Sequence, residues 1–303
     1  MGKNIQQWWK DNLKTDNLDK LINKSNDILD RLSKEDNSIL DELITDEEYF
    51  NDNDYAYDPD SSPVAWKYYE QMYGWVQSDI LMGWDSKAKR IIGDVSINKD
   101  GNSSIEVKHV NYKYGTISFA GDCVFNFKEG GKTLKCINEN ELNENALQKL
   151  KFCRAMHHSP YNFSLIPRTG EMNNRKKCDR PDWLLAGIEH LYTESDKCEK
   201  EIKTWEEIRE LQKDYQVITH RSRSRNDVIL FAFLKLIGGV KKYANIFLNL
   251  DDKNDDDKRM LEDMIEFGKK DDKLFKESFE QYMDLAIRYW QIQKKKYKDV
   301  CNL

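Results

Sequence analysis

Apolar residues recur every three or four positions near the start of the chain, at Leu18, Leu21, Ile22, Ile28, Leu29 and Leu32, with Leu40 and Leu43 continuing after a polar break. This spacing puts them on one face of a helix and predicts a helical N-terminal region. Trp8 and Trp9 precede the stripe and would dock it onto the body of the protein or onto another subunit. An acidic, Asn-rich connection follows over 46–60, and Pro63 opens a helix with Trp66, Tyr69, Met72 and Tyr73 on an aromatic face. Between Leu81 and Cys136 the period shortens towards two. Ile91–Ile97, Ser104–Tyr112, Gly115–Phe127 and Thr133–Ile137 are the predicted strands, separated by turns around Gly101, Gly115 and Gly130. Connections this short join antiparallel neighbours, since a parallel pair needs a long crossover.

The helical period then returns. A helix is predicted from Asn145 to Met156, and another from Pro181 or Asp182 carries Trp183, Leu184, Ile188 and Leu191. Thr204 and Glu207 form a capping box for Trp205–Tyr215. An apolar helix over Asn226–Ile237 is stopped by Gly238 and Gly239. Asp251–Asp257 is an exposed loop or a helix start. The last helix runs from Leu274 to Tyr297, with Phe275, Phe279, Tyr282, Met283, Ile287 and Trp290 at helical spacing. The pattern predicts an α+β protein: an antiparallel β-meander flanked by an N-terminal helical region and a mostly helical C-terminal half. Its regions are 1–60, helical; 61–145, the sheet; and 146–303, mainly helical, with an ordered irregular connector at 157–181.

Composition adds a core and removes some function classes. Hydrophobic residues make up 39% of the 303 and charged residues 34%, yet 15 Tyr, 12 Phe and 8 Trp supply enough apolar surface to exclude global disorder. The net charge of -6 argues against broad wrapping of nucleic acid, while leaving room for a local basic groove. No run approaches the roughly 18–20 apolar residues of a membrane span. The longest, from Val228, is broken by Lys235, and a cytoplasmic protein with no membrane partner is expected. Six cysteines without a CxxC read as reduced thiols. A zinc set drawn from Cys153, His157 or His158, and Cys178 would match no standard finger spacing.

The chemistry-bearing residues concentrate in Phe152–Asp182, FCRAMHHSPYNFSLIPRTGEMNNRKKCDRPD. Phosphate-loop, dinucleotide, zinc-protease and serine-hydrolase motifs do not occur. Two readings of the segment stay open. In the first, His157 and His158 cap the preceding helix or bond to backbone, and Asn162 makes turn hydrogen bonds. In the second, one of His157 and His158 activates water against phosphorus, Asn162 orients it, and Asn173 or Asn174 helps to hold Mg²⁺ or another divalent ion. Arg168, Arg175 and Lys177 would then contact phosphate. A second basic candidate is Arg221, Arg223 and Arg225, which share a face only in extended chain and would pair with phosphate or carboxylate.

The order of these residues resembles the H…N…N…K arrangement of HNH-type nucleases, with His157 or His158 as the base, Asn162 as the central Asn, and Asn174 with Lys177 closing the motif. Met156 stands where that family carries an acidic residue or a second His. The run His158-Ser159-Pro160-Tyr161-Asn162-Phe163, then Ile166-Pro167, Gly170 and Asn173, also resembles uncharacterised proteins of AT-rich Gram-positive bacteria and their phages. In length and general character the chain resembles phage proteins that inhibit bacterial defence complexes, of the Gabija anti-defence type. That resemblance implies residence in the host cytoplasm.

The leading expectation is a non-enzymatic interaction protein and homo-oligomer with no cofactor. It would engage a protein partner, such as a host defence nuclease complex, and block access of nucleic acid. Surplus aromatics and the acidic stretches at Asp46–Asp60 and Asp251–Asp257 motivate it. The alternatives are a divalent-metal-dependent nuclease and a nucleic-acid-binding protein without catalysis.

Overall fold

The computed structural model describes residues 5–15, 17–33, 59–72, 95–97, 103–105, 107–112, 115–128, 132–167, 184–189, 244–245, 248–251 and 253–301. Helix α1 (Ile5–Leu13) is followed by α2 (Leu18–Ser33), whose buried Leu18, Leu21, Ile22, Ile28 and Leu29 are the stripe read from the sequence. A 3-10 turn at Pro59–Ser61 leads into α3 (Pro63–Met72), which Pro63 opens because a missing N–H costs nothing in a first helical turn.

Strands β1 (Val95–Ile97) and β2 (Ser103–Ile105) form one antiparallel pair. Strands β3 (Val107–Tyr112) and β4 (Gly115–Cys123) form a tight hairpin in which Tyr112 faces Gly115. Strand β4 is the centre of a three-stranded antiparallel sheet whose other edge is β5 (Phe163–Pro167), with Cys123 opposite Phe163 and Phe119 opposite Pro167. The architecture is α+β, with antiparallel strands between helical N- and C-terminal regions.

Two local expectations change. Thr133–Ile137, read as a fourth strand, holds the short helix α4 (Lys132–Lys135) instead, with Thr133 and Leu134 buried. Part of the supposedly irregular connector is β5, which takes the edge of β4 that a following strand would have used.

Helix α5 (Glu144–Met156) starts at Asn143, whose side chain accepts the Ala146 N–H. A short helical stretch lies at 184–189. Near the C-terminus come α6 (Asp255–Gly268), α7 (Asp272–Glu277) and α8 (Phe279–Cys301). The long helix predicted over Leu274–Tyr297 is therefore two. Asp271 caps α7, and Ser278 leaves helical geometry at φ -109°, ψ 20° while its N–H still closes α7. Its carbonyl then accepts the Tyr282 N–H of α8. The expected helices at Trp205–Tyr215 and Asn226–Ile237 lie outside the described residues.

Helix α8 is the hub and packs against α3, α5 and α6. Its Tyr282, Tyr289 and Trp290 surround Phe125 and Phe127, with ring centroids 5.2 to 6.3 Å apart. Those two rings belong to Val124–Lys128, a strap leaving the end of β4. Tyr297, one turn from the end of α8, stacks on Tyr68 of α3. Buried residues from Ile5 to Tyr297 join in one core, so the helical regions at both ends share it. At Gly121 the chain comes so close to the 3-10 turn that a Cβ would collide with the Asp60 carbonyl and lie 2.9 Å from the Tyr69 hydroxyl.

Candidate functional site

The sequence-selected histidines and Asn162 come together at the end of α5. His157 keeps helical dihedrals and closes the helix, its N–H reaching the Arg154 carbonyl. Two residues later Ser159 turns the chain. Its hydroxyl accepts the Tyr161 N–H and donates to Ser25 of α2 at 2.7 Å, and Pro160 starts a 3-10 turn through Asn162. Capping and proline stiffness thus place Asn162 one turn beyond the helix.

Asn162 is fully buried, and its amide has four partners. The oxygen accepts from the Phe125 N–H and from the Trp290 indole N–H, each at 3.0 Å. The nitrogen donates to the Phe125 and His157 carbonyls, each at 2.8 Å. The amide therefore joins the strap, the end of α5 and α8 at one point. Its backbone adds a further tie, since the Asn162 carbonyl accepts the Val124 N–H at 2.8 Å.

The imidazole of His157 lies against the same strap. Its Nδ1 is 3.4 Å from both the Phe127 N–H nitrogen and the Phe125 carbonyl oxygen. The ring packs on His158 at 4.5 Å between centroids. Both residues are buried, 4% and 5% exposed. Burial lowers the His157 pKa to about 4, against a smaller upward pull from the Phe125 carbonyl, and nearby Lys128 lowers it further. His158 is held well below the usual histidine value by burial, then by His157 and Lys128. Both rings are therefore neutral near pH 7.

A general base must reach the proton it removes, directly or through one water. Here the two neutral rings face protein, and Asn162 has used all its positions on core groups. The arrangement is suited to holding chain segments in place. Among the described residues, no group of three or more His, Cys, Asp or Glu is arranged to hold a metal ion. Cys153 is buried in α5 as a free thiol. Arg168, Asn173, Asn174, Arg175, Lys177, Arg221, Arg223, Arg225 and Cys178 lie outside the described residues.

The sequence did not reveal the partners of this cluster. Trp290 is legible as a buried position of the last helix but not as the donor to Asn162. Trp9 docks α1 by donating its indole N–H to the Ala155 carbonyl at 2.9 Å, satisfying one of the last carbonyls of α5.

On the outer side of the helical half, α6 and α8 enclose an open groove of about 480 Å³. Phe267 and Leu285 supply its apolar lining, and Asp263, Glu266 and Asp284 line it with Gln281, Arg288 and Lys270, whose ammonium lies over the Phe267 ring. Arg288 and Asp263 pair across it, both about half exposed. Helix α6 carries six carboxylates against two basic side chains. Asp255 and Asp256 favour its N-terminal end electrostatically.

Among the described residues, no helix is long and apolar enough to cross a membrane. Compared with known protein families, characterised proteins and solved structures, the chain matches none.

Proposed function

We propose that the protein is a non-enzymatic interaction protein that presents the acidic outer face of α6 and its groove to a basic surface on a protein partner. The observation that supports this reading is the excess of exposed carboxylates on α6, Asp255, Asp256, Glu262, Asp263 and Glu266 against two basic side chains, beside an apolar lining. A charged rim around an apolar centre is common interface anatomy. Charges at such a rim mainly steer approach and select partners. The burial of His157, His158 and Asn162 fits the same reading, because the strongest candidates for chemistry are engaged in the core. Its narrower form is a phage-encoded inhibitor that assembles as a homo-oligomer and covers the nucleic-acid channel of a host defence nuclease. That form rests on the sequence resemblance and on acidic charge suited to a DNA-binding channel.

Affinity capture from a Gram-positive host extract, with light scattering for mass, tests the proposal. A stable complex that weakens with salt is expected. The combined Asp263→Asn, Glu266→Gln and Asp284→Asn variant should bind the captured partner at least tenfold more weakly. A protein that captures nothing, or that cleaves DNA with Mg²⁺ or Mn²⁺ and loses this activity in His158→Ala, would overturn it.

A further inference from the structure

We infer that His157 is an acid-operated latch, whose protonation releases the Val124–Lys128 strap and uncovers the aromatic face of α8. The warrant is the position of Nδ1 between a backbone donor and a backbone acceptor of the strap. A neutral ring with a bare Nδ1 accepts the Phe127 N–H. An imidazolium carries hydrogen on both nitrogens and can accept nothing. Protonation therefore leaves the buried Phe127 N–H unpaired and places a charge in the core, where both are costly.

Of the surrounding groups only the Phe125 carbonyl, 3.4 Å from Nδ1, favours that charge, and burial outweighs it. The strap brings Lys128, whose charge has the same sign, and the next residue brings the His158 ring. Strand β4 brings the Cys123 thiol, which meets the His157 carbonyl at 3.7 Å. One turn earlier on α5 is the buried Cys153 thiol. Helix α8 contributes the uncharged Tyr282 hydroxyl, which accepts the Asn126 N–H at 3.0 Å, and the Trp290 indole. Release of the strap would free Phe125 and Phe127 from the aromatic cluster on α8.

The direction with pH follows from the lowered value. Folding holds the ring neutral, so the released state binds the proton more readily. The latch is fully closed above the ordinary histidine value of 6.5 and weakens as pH falls towards about 4.

An acid titration read by tryptophan fluorescence, binding of a hydrophobic dye and histidine NMR tests this inference. Dye binding and a changed tryptophan signal are expected in one step between pH 6.5 and about 4, with far-UV circular dichroism largely retained. The His157 ring resonances should report protonation in that same step. In His157→Gln, which keeps an acceptor for the Phe127 N–H and cannot be protonated in this range, the step should move at least one pH unit lower. An unmoved step in that variant overturns the latch. So does a His157 ring that stays neutral through the step in the unmodified protein, a measurement that decides the matter even where His157→Gln does not fold.

Discussion

Asn162 connects three parts of the fold that lie far apart in sequence. Its partners are 37 residues away at Phe125, five at His157 and 128 at Trp290. Replacing it with alanine would strand the buried Phe125 and Trp290 N–H groups and take a donor from the Phe125 and His157 carbonyls, and an unsatisfied buried donor or acceptor costs about 1–3 kcal/mol. These costs do not add fully within one network. Asn162→Ala is nevertheless expected to lose about 3 kcal/mol or more in urea unfolding, placing it in the severe class for a single substitution. Asn162→Asp should be at least as damaging, because a carboxylate cannot donate to the two carbonyls. A loss below about 1 kcal/mol for the alanine variant would show that the network does not hold the strap.

The same cluster shows what the sequence could reveal at this scale. His157, His158, Ser159, Pro160 and Asn162 are neighbours, so their meeting in one turn was legible from turn chemistry. Their chemical meaning depended on burial, and burial here comes from α8 and the strap, which no local pattern names. Trp9 is a similar case: its docking was legible as a need of an apolar aromatic, its acceptor at Ala155 was not.

Among the elements, periodicity was most reliable where one face is buried over several turns. Helix α2 buries its stripe over Leu18–Leu29, and α5, expected over Asn145–Met156, spans Glu144–Met156. The reading failed where a short apolar stretch admits two periods. Thr133–Ile137 alternates as a strand should, but helix α4 buries Thr133 and Leu134 together as consecutive residues. The break at Ser278 was masked because apolar positions continue across it, and Asp271 was the local sign of a new helix.

Gly268 offers a test of element packing in which two effects oppose each other. It ends α6, where a helical glycine replaced by alanine ordinarily gains about 0.5–1 kcal/mol. A Cβ there would collide with the Leu185 carbonyl and lie 2.9 Å from the Glu189 Cβ, both belonging to the 184–189 helix. Backbone cannot swing aside as a flexible side chain can, and overpacking costs about 1–3 kcal/mol. The clash should win. Gly268→Ala is expected to lower the thermal midpoint, whereas a rise would mean that the two helices do not approach this closely in solution.

Across the whole molecule, α8 holds distant chain together through faces of different chemistry. Its aromatic side takes the strap, while Tyr289, Gln293 and Lys296 follow one another at helical spacing along a polar stripe. The Leu248 carbonyl accepts the Tyr289 hydroxyl at 3.0 Å and the Gln293 amide at 3.2 Å. Asn249, in the left-handed region at φ 53°, donates its amide to Gln293 and offers its carbonyl to Lys296. Asparagine tolerates that conformation better than most residues. The ammonium of Lys296 also lies 3.4 Å from Asp257, which is 2% exposed and accepts the Asp251 N–H at 2.8 Å. Burial lowers the Lys296 pKa, and Asp257 pulls it back up. The acidic run at Asp251–Asp257 reads as surface in the sequence, yet one of its carboxylates is the buried partner of a lysine near the C-terminus.

Breaking a buried pair from one side costs about 3–5 kcal/mol because the remaining charge has no partner, although replacing both members is often far milder. Lys296→Met is therefore expected to destabilise the protein by about 3 kcal/mol or more, and Asp257→Asn should be costly as well. The double variant should be less damaging than the two single losses summed, with a coupling of about 1–3 kcal/mol in a double-mutant cycle. Additive losses would mean that each side chain acts through separate contacts. Strong coupling would instead identify this pair as the tie by which α8 fixes the turn before α6, and hence the placement of the acidic face beside it.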